Sequence, residues 1–180
     1  MIYLTTAILS IIQMILIILV KGLALELIPI GLILCIFTYI SIRDYQTGEI
    51  SIPLNFILLG LAIVYAVMIK TFPIINVLCF TVPFILIETI YQLFFNKEKD
   101  EDKFLIGGGD IVLFASLSLI LSTVFGMLYM FFVSSLLSLI VSKIKTKKII
   151  PFAPFLQIGM LVSYLSTPAV MGLLFGNLIV

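Results

Sequence analysis

Residues 1–20 carry no charged side chain, and similar apolar runs follow one another almost to the C-terminus. A run of about 20 apolar residues, coiled as a helix, matches the ~30 Å hydrocarbon core of a bilayer. Backbone crossing that core must satisfy its own hydrogen bonds, which leaves helices as the simplest solution. Composition agrees: of 180 residues, 63% are hydrophobic and 11% charged, with a mean hydropathy of +1.36. Soluble domains hold roughly 45–50% apolar and about 25% charged residues, so a water-soluble fold would lack the polar surface to cover itself. The expected fold is all-α, a polytopic membrane helical bundle of about seven transmembrane helices plus a short apolar C-terminal tail. Helices are expected near 2–20, 23–42, 52–69, 73–95, 108–124, 127–142 and 151–166, with 168–180 as a re-entrant or interfacial tail. No domain boundary or internal repeat interrupts this series, so residues 1–180 read as a single membrane-embedded domain. Pro29 and Pro83 are candidate kinks, and Pro73 suits a first helical turn.

Several classes of protein are set aside by the same residues. No basic stretch precedes the first apolar run, and no small-x-small pattern precedes Lys21, so residues 1–20 read as a retained helix rather than a signal peptide. The net charge of +1 and the lack of a basic, aromatic-studded patch imply no nucleic-acid partner. With no histidine, and with Cys35 and Cys79 isolated in apolar runs, neither a His-based triad nor a cysteine-rich metal site is expected. The two cysteines read as small core residues, and no metal or cofactor is implied.

Orientation follows from the basic residues. With a cytoplasmic N-terminus, the inner loops hold Arg43, Lys97, Lys99, Lys103, Lys143, Lys145, Lys147 and Lys148, leaving Lys21 and Lys70 outside. The hydrophilic insert 96–103, "NKEKDEDK", is then a solvated cytoplasmic loop, and Asp44 and Asp110 both fall at cytoplasmic helix ends. Asp110 closes the glycine run of "FLIGGGDIVLFA", where three glycines stand at the mouth of an apolar stretch. From Asp110 to Val124 the chain is short for a full span, which works if residues 104–109 dip below the membrane surface. Irregular backbone at that depth is tolerated where it lines a water-filled cavity, and glycine lets a second backbone approach closely. A plain Gly-rich turn with an N-capping aspartate is the competing reading of these residues alone.

Two more segments belong with this one. "YISIRDYQTGEISIPLN" (39–55) places Asp44 at a helix end before a short polar turn, and "IIPFAPFLQIG" (149–159) is a proline-bracketed aromatic entry into the last helix. Together the three segments resemble the type IV prepilin peptidases, intramembrane aspartic proteases of the GxGD class. The counterparts are Asp44, then Gly107, Gly108, Gly109 and Asp110, then Ile150 to Leu156 in place of an I-P-F-G-P-F-L segment. Ala153 stands where that segment has glycine, and Ile50-Ser51 where relatives show Ile-Pro. Larger relatives add a cytoplasmic domain with paired CxxC motifs, linked to N-methylation. Such motifs are missing here, so neither methyl transfer, S-adenosylmethionine nor zinc is implied.

The resemblance implies an aspartic endopeptidase that removes the cytoplasmic leader from prepilin-like or pseudopilin-like membrane precursors. Asp44 and Asp110 would be catalytic, and Gly107–Gly109, Pro151, Phe152 and Pro154 would contact substrate. Glu88, an acid inside the fourth helix, is a further candidate for lining that cavity, or else pairs with a neighbouring hydroxyl. Gln157 and Asn76 read as interhelical hydrogen bonders. A small transporter or proton channel would also carry intramembrane acids, though nearer the midplane and with inverted repeats.

Overall fold

The structure, a computed structural model, describes residues 2–23, 25, 27–48, 50–94, 108–144 and 151–175. Seven helices follow in order: α1 (Ile2–Lys21), α2 (Leu27–Thr47), α3 (Ile52–Met68), α4 (Ile74–Phe94), α5 (Gly108–Leu121), α6 (Val124–Ile144) and α7 (Ala153–Phe175). No strand occurs among the described residues. Helices α1, α2, α4, α6 and α7 are long and apolar enough to cross a membrane, while α3 and α5 are apolar but shorter. The chain is a helical membrane bundle, as its hydropathy predicts.

Helix α5 lies at the centre, against α3 and α4 and also touching α6 and α7. Every residue from Ser116 to Leu121 is buried, so this helix is enclosed on all sides. Phe114 joins two neighbours to it, stacking on Phe84 of α4 at 4.5 Å and tilting against Phe131 of α6 at 5.3 Å. The periphery is built from α1 and α4, whose exposed faces are leucines and isoleucines such as Ile8, Ile11, Ile15, Leu78, Leu86 and Ile90. Cys35 and Cys79 are exposed among them rather than in the core. Lipid is as apolar as a protein interior, so a small apolar residue gains nothing by facing inward.

Polar side chains tie the helices together, since hydrophobicity alone does not hold them in lipid. Gln157 of α7 donates to Thr38 of α2 (2.5 Å) and to Gln13 of α1 (3.1 Å). Asn76 of α4 donates to the Ser118 carbonyl of α5 at 2.8 Å, and the Tyr65 and Tyr164 hydroxyls of α3 and α7 meet at 3.1 Å. Between α6 and α7 the contact is made by Gly159. A Cβ there would overlap Ser134 Oγ and lie 2.6 Å from the Met130 carbonyl oxygen. Because that oxygen belongs to backbone, Gly159→Ala must push α6 and α7 apart. Overpacking of this kind costs about 1–3 kcal/mol. Thermal unfolding in detergent is expected to fall by several degrees, and an unchanged midpoint would refute the contact.

The helix ends depart from the hydropathy reading in several places. Helix α2 runs to Thr47 rather than 42, because the mostly polar residues Ser41 to Thr47 contain no breaker. It stops where Gly48 takes φ +71° and donates to the Asp44 carbonyl at 2.8 Å. Helix α5 ends at Leu121, three residues early. Ser122 turns with φ 52°, and Thr123 caps α6 by accepting the Gly126 amide at 3.0 Å. Pro29 falls in the first turn of α2, where it needs no kink, and Pro73 precedes α4, its carbonyl accepting the Val77 amide at 3.0 Å. The expected separate tail is instead part of α7, which continues through Pro168 to Phe175. Just before the proline, Ser166 bonds the Val162 carbonyl at 2.6 Å and the Ser163 and Thr167 hydroxyls meet at 3.0 Å.

Candidate active site

One end of the bundle collects the last turn of α2 and the first turns of α3, α5 and α7. Asp44 is buried there, only 5% exposed. A buried carboxylate needs donors, and it finds them at the start of α7. The Ala153 amide donates to Asp44 Oδ2 at 2.9 Å, and the Phe152 amide also faces this carboxylate. Helix α7 begins at Ala153, with the Phe152 carbonyl accepting the Leu156 amide at 3.0 Å. The first amides of a helix have no partner inside it, so Asp44 caps α7 from another helix. The proline bracket has a direct chemical effect. Pro151 and Pro154 have no N–H, so Phe152 and Ala153 carry the two amides that residues 151–154 can offer.

Across the same end, α3 and the connection that leads to it grip the start of α5. Asn55 donates through Nδ2 to the Gly109 carbonyl at 2.6 Å. A Cβ on Gly109 would stand 3.2 Å from Ile50 Cγ2 and 3.3 Å from the Ile50 carbonyl oxygen. Glycine at 109 is therefore needed for close approach, as the Gly-rich stretch predicts. Asp110 follows at once, half-buried in the first turn of α5. Asn55 is fully buried, and its Oδ1 has no hydrogen-bond partner among the described residues. One hydrogen bond gains about 0.5–1.5 kcal/mol net, whereas an unsatisfied buried acceptor costs about 1–3 kcal/mol. Asn76 is in the same situation, its Oδ1 also without a partner among the described residues; what sets Asn55 apart is that it bonds the residue before Asp110.

The other expected site residues are placed less closely together. Gly108 is exposed at the tip of α5, with open space where a Cβ would go. Pro151, Phe152 and Pro154 are half-buried, and Phe152 packs on the core. Glu88 lies on α4 and accepts from Gln92 Nε2 of its own helix at 2.7 Å. Gly107 lies outside the described residues, as do Lys97, Lys99, Lys103, Lys145, Lys147 and Lys148. Ile50, Asn55 and Ala153 were not among the expected site residues. Asparagine in the first turn of an apolar helix was the available signal for Asn55, since such side chains bond across helices. Among the described residues, no three His, Cys, Asp or Glu side chains cluster to hold a metal ion.

The chain is a helical membrane bundle that carries, at one end, a buried aspartate anchored by helix amides and, in the first turn of a glycine-led helix, a second aspartate. Residues 31–142 match the model of the type IV leader peptidase family, more than half of the chain. The chain belongs to that family and is a membrane peptidase by that membership. Neither a curated protein nor a solved structure matches it.

Proposed function

We propose that the protein is an intramembrane aspartic endopeptidase that removes the cytoplasmic leader from type IV prepilin-like or pseudopilin-like precursors, with Asp44 and Asp110 as its catalytic pair. The observation that carries this reading is the anchoring of Asp44 by the α7 amides at the end of the bundle where Asp110 opens α5. At 1.5 Å per residue, the 14 residues of α5 cover about 21 Å, less than the ~30 Å of hydrocarbon. An enclosed helix that falls short leaves room at its end for water and for an extended substrate.

Two close carboxyl groups hold one proton between them, because both cannot ionise cheaply. The ionised group takes a proton from water as the water oxygen attacks the scissile carbonyl carbon. The protonated group gives its proton to the developing oxyanion. When the C–N bond breaks, the leaving nitrogen takes a proton from the pair, and one water has been added across the amide. The two groups titrate together, so acid and base belong to the pair.

With the basic residues on the cytoplasmic side, the bond cut lies at the cytoplasmic end of the substrate's apolar helix. That helix must unwind locally, since a helix hides its amides. An extended leader can pair its backbone with the Gly107–Gly109 stretch, and Pro151, Phe152, Pro154 and Glu88 border its path in this reading. A panel of precursors, with products mapped by mass spectrometry, tests it. Cleavage after a small residue at the start of the apolar span is expected. A β-branched residue before the cut is expected to slow cleavage strongly, and loss of one leader lysine only mildly. Cuts in the middle or outer end of the span would sink the prepilin reading.

Orientation has its own test. In a background without Cys35 and Cys79, cysteines placed within 96–103 should be labelled only from the cytoplasm, and those beside Lys21 or Lys70 only from outside. Labelling of 96–103 from outside would reverse the side from which substrate enters.

A further inference from the structure

Asn55 is fully buried and bonded across helices to the residue before Asp110. We propose that Asn55 is a positioning residue for the catalytic pair, setting the direction of Asp110 relative to Asp44. The inference rests on the aspartic-peptidase reading above. The Gly109 carbonyl and the Asp110 nitrogen are two ends of one planar peptide unit. Fixing the carbonyl at 2.6 Å from Asn55 Nδ2 fixes that plane, and with it the Asp110 Cα. The Ile50 backbone and side chain close on Gly109 from the adjacent connection and prevent the plane from sliding away.

The chain that leaves Asp44 thus returns within one turn of α3 to hold the start of α5. Asp44 is fixed at its other side by the Ala153 amide, so both aspartates are referred to one frame. Leucine shares the branching of asparagine and suits an apolar helix, but it cannot donate, and its methyl is bulkier than the amide nitrogen that lies 2.6 Å from the Gly109 carbonyl.

The test is Asn55→Leu, with Asn55→Ala as a smaller second variant, in the full-length protein in detergent. A cleavable prepilin-like precursor is assayed at several concentrations beside thermal unfolding. Misplacing a reacting group by about 1 Å can cost ~100-fold. The expected result in both folded variants is kcat reduced about 10–100-fold per folded molecule, with KM little changed. Wild-type kcat in either folded variant would overturn the proposal. So would activity that falls only in proportion to the folded fraction, since that is a purely structural role. A wild-type protein that cuts no precursor would instead defeat the peptidase reading, and this inference would fall with it.

Discussion

Asparagine in place of either Asp44 or Asp110 is expected to abolish precursor cleavage while leaving the protein inserted and folded. The exchange keeps the shape of each side chain. In Asp44→Asn the side-chain oxygen can still accept the Ala153 amide, which now bonds Oδ2 at 2.9 Å, so the cap on α7 survives. An amide, however, can neither take a proton from water nor give one to a leaving nitrogen. General acid–base catalysis by one group is worth about 10²–10⁴-fold, and here each group performs both roles in turn. Turnover by either variant should fall at least ~10³-fold, measured by product appearance in detergent micelles with folding checked by circular dichroism. Full activity in one of them would end the paired-aspartate mechanism. Glu88→Gln is the matching control. Its carboxylate bonds Gln92 along α4 at 2.7 Å, a contact an amide can reproduce, and appreciable activity should remain.

Hydropathy made the helices legible because a bilayer imposes one length and one polarity on every crossing segment. Where another force sets the boundary, the sequence misleads. Helix α2 outlasts its apolar stretch through Arg43 to Thr47, because a helix ends at a breaker, and Gly48 is the first one. Helix α7 passes Pro168, and no window of hydrophobicity registers that a helix continues through a proline. The candidate aspartates were legible as carboxylates at helix ends with a glycine-rich approach. Their supports were not. Asp44 and Ala153 are 109 positions apart, and Asn55 and Gly109 are 54 apart. Nothing local in either segment states its partner. The late segment was readable as a resemblance, but nothing in it states that the two amides between its prolines face a carboxylate on α2.

Those two amides make the second strong expectation. Ala153→Pro should reduce kcat about 10–100-fold, and proline is compatible with the first position of a helix. It removes the N–H that now bonds Asp44 at 2.9 Å and puts a ring carbon in its place, too close for the carboxylate to keep its position. Hydrogen bonds to charged groups contribute about 1.5–3 kcal/mol, which corresponds to a factor of roughly 10–150 if the loss falls on the transition state. A carboxylate left with one backbone donor also loses the orientation that the Ala153 amide gives it. Ala153→Gly separates the amide from the side chain: it keeps the N–H and supplies the glycine of the related segment, so activity should stay near wild type. The buried Ala153 methyl is lost in that variant, and a modest fall in unfolding temperature is expected from it alone. The pair of variants therefore moves stability and turnover in different proportions. Wild-type turnover in Ala153→Pro would show that the α7 amides merely cap a helix, and that Asp44 is oriented by something else.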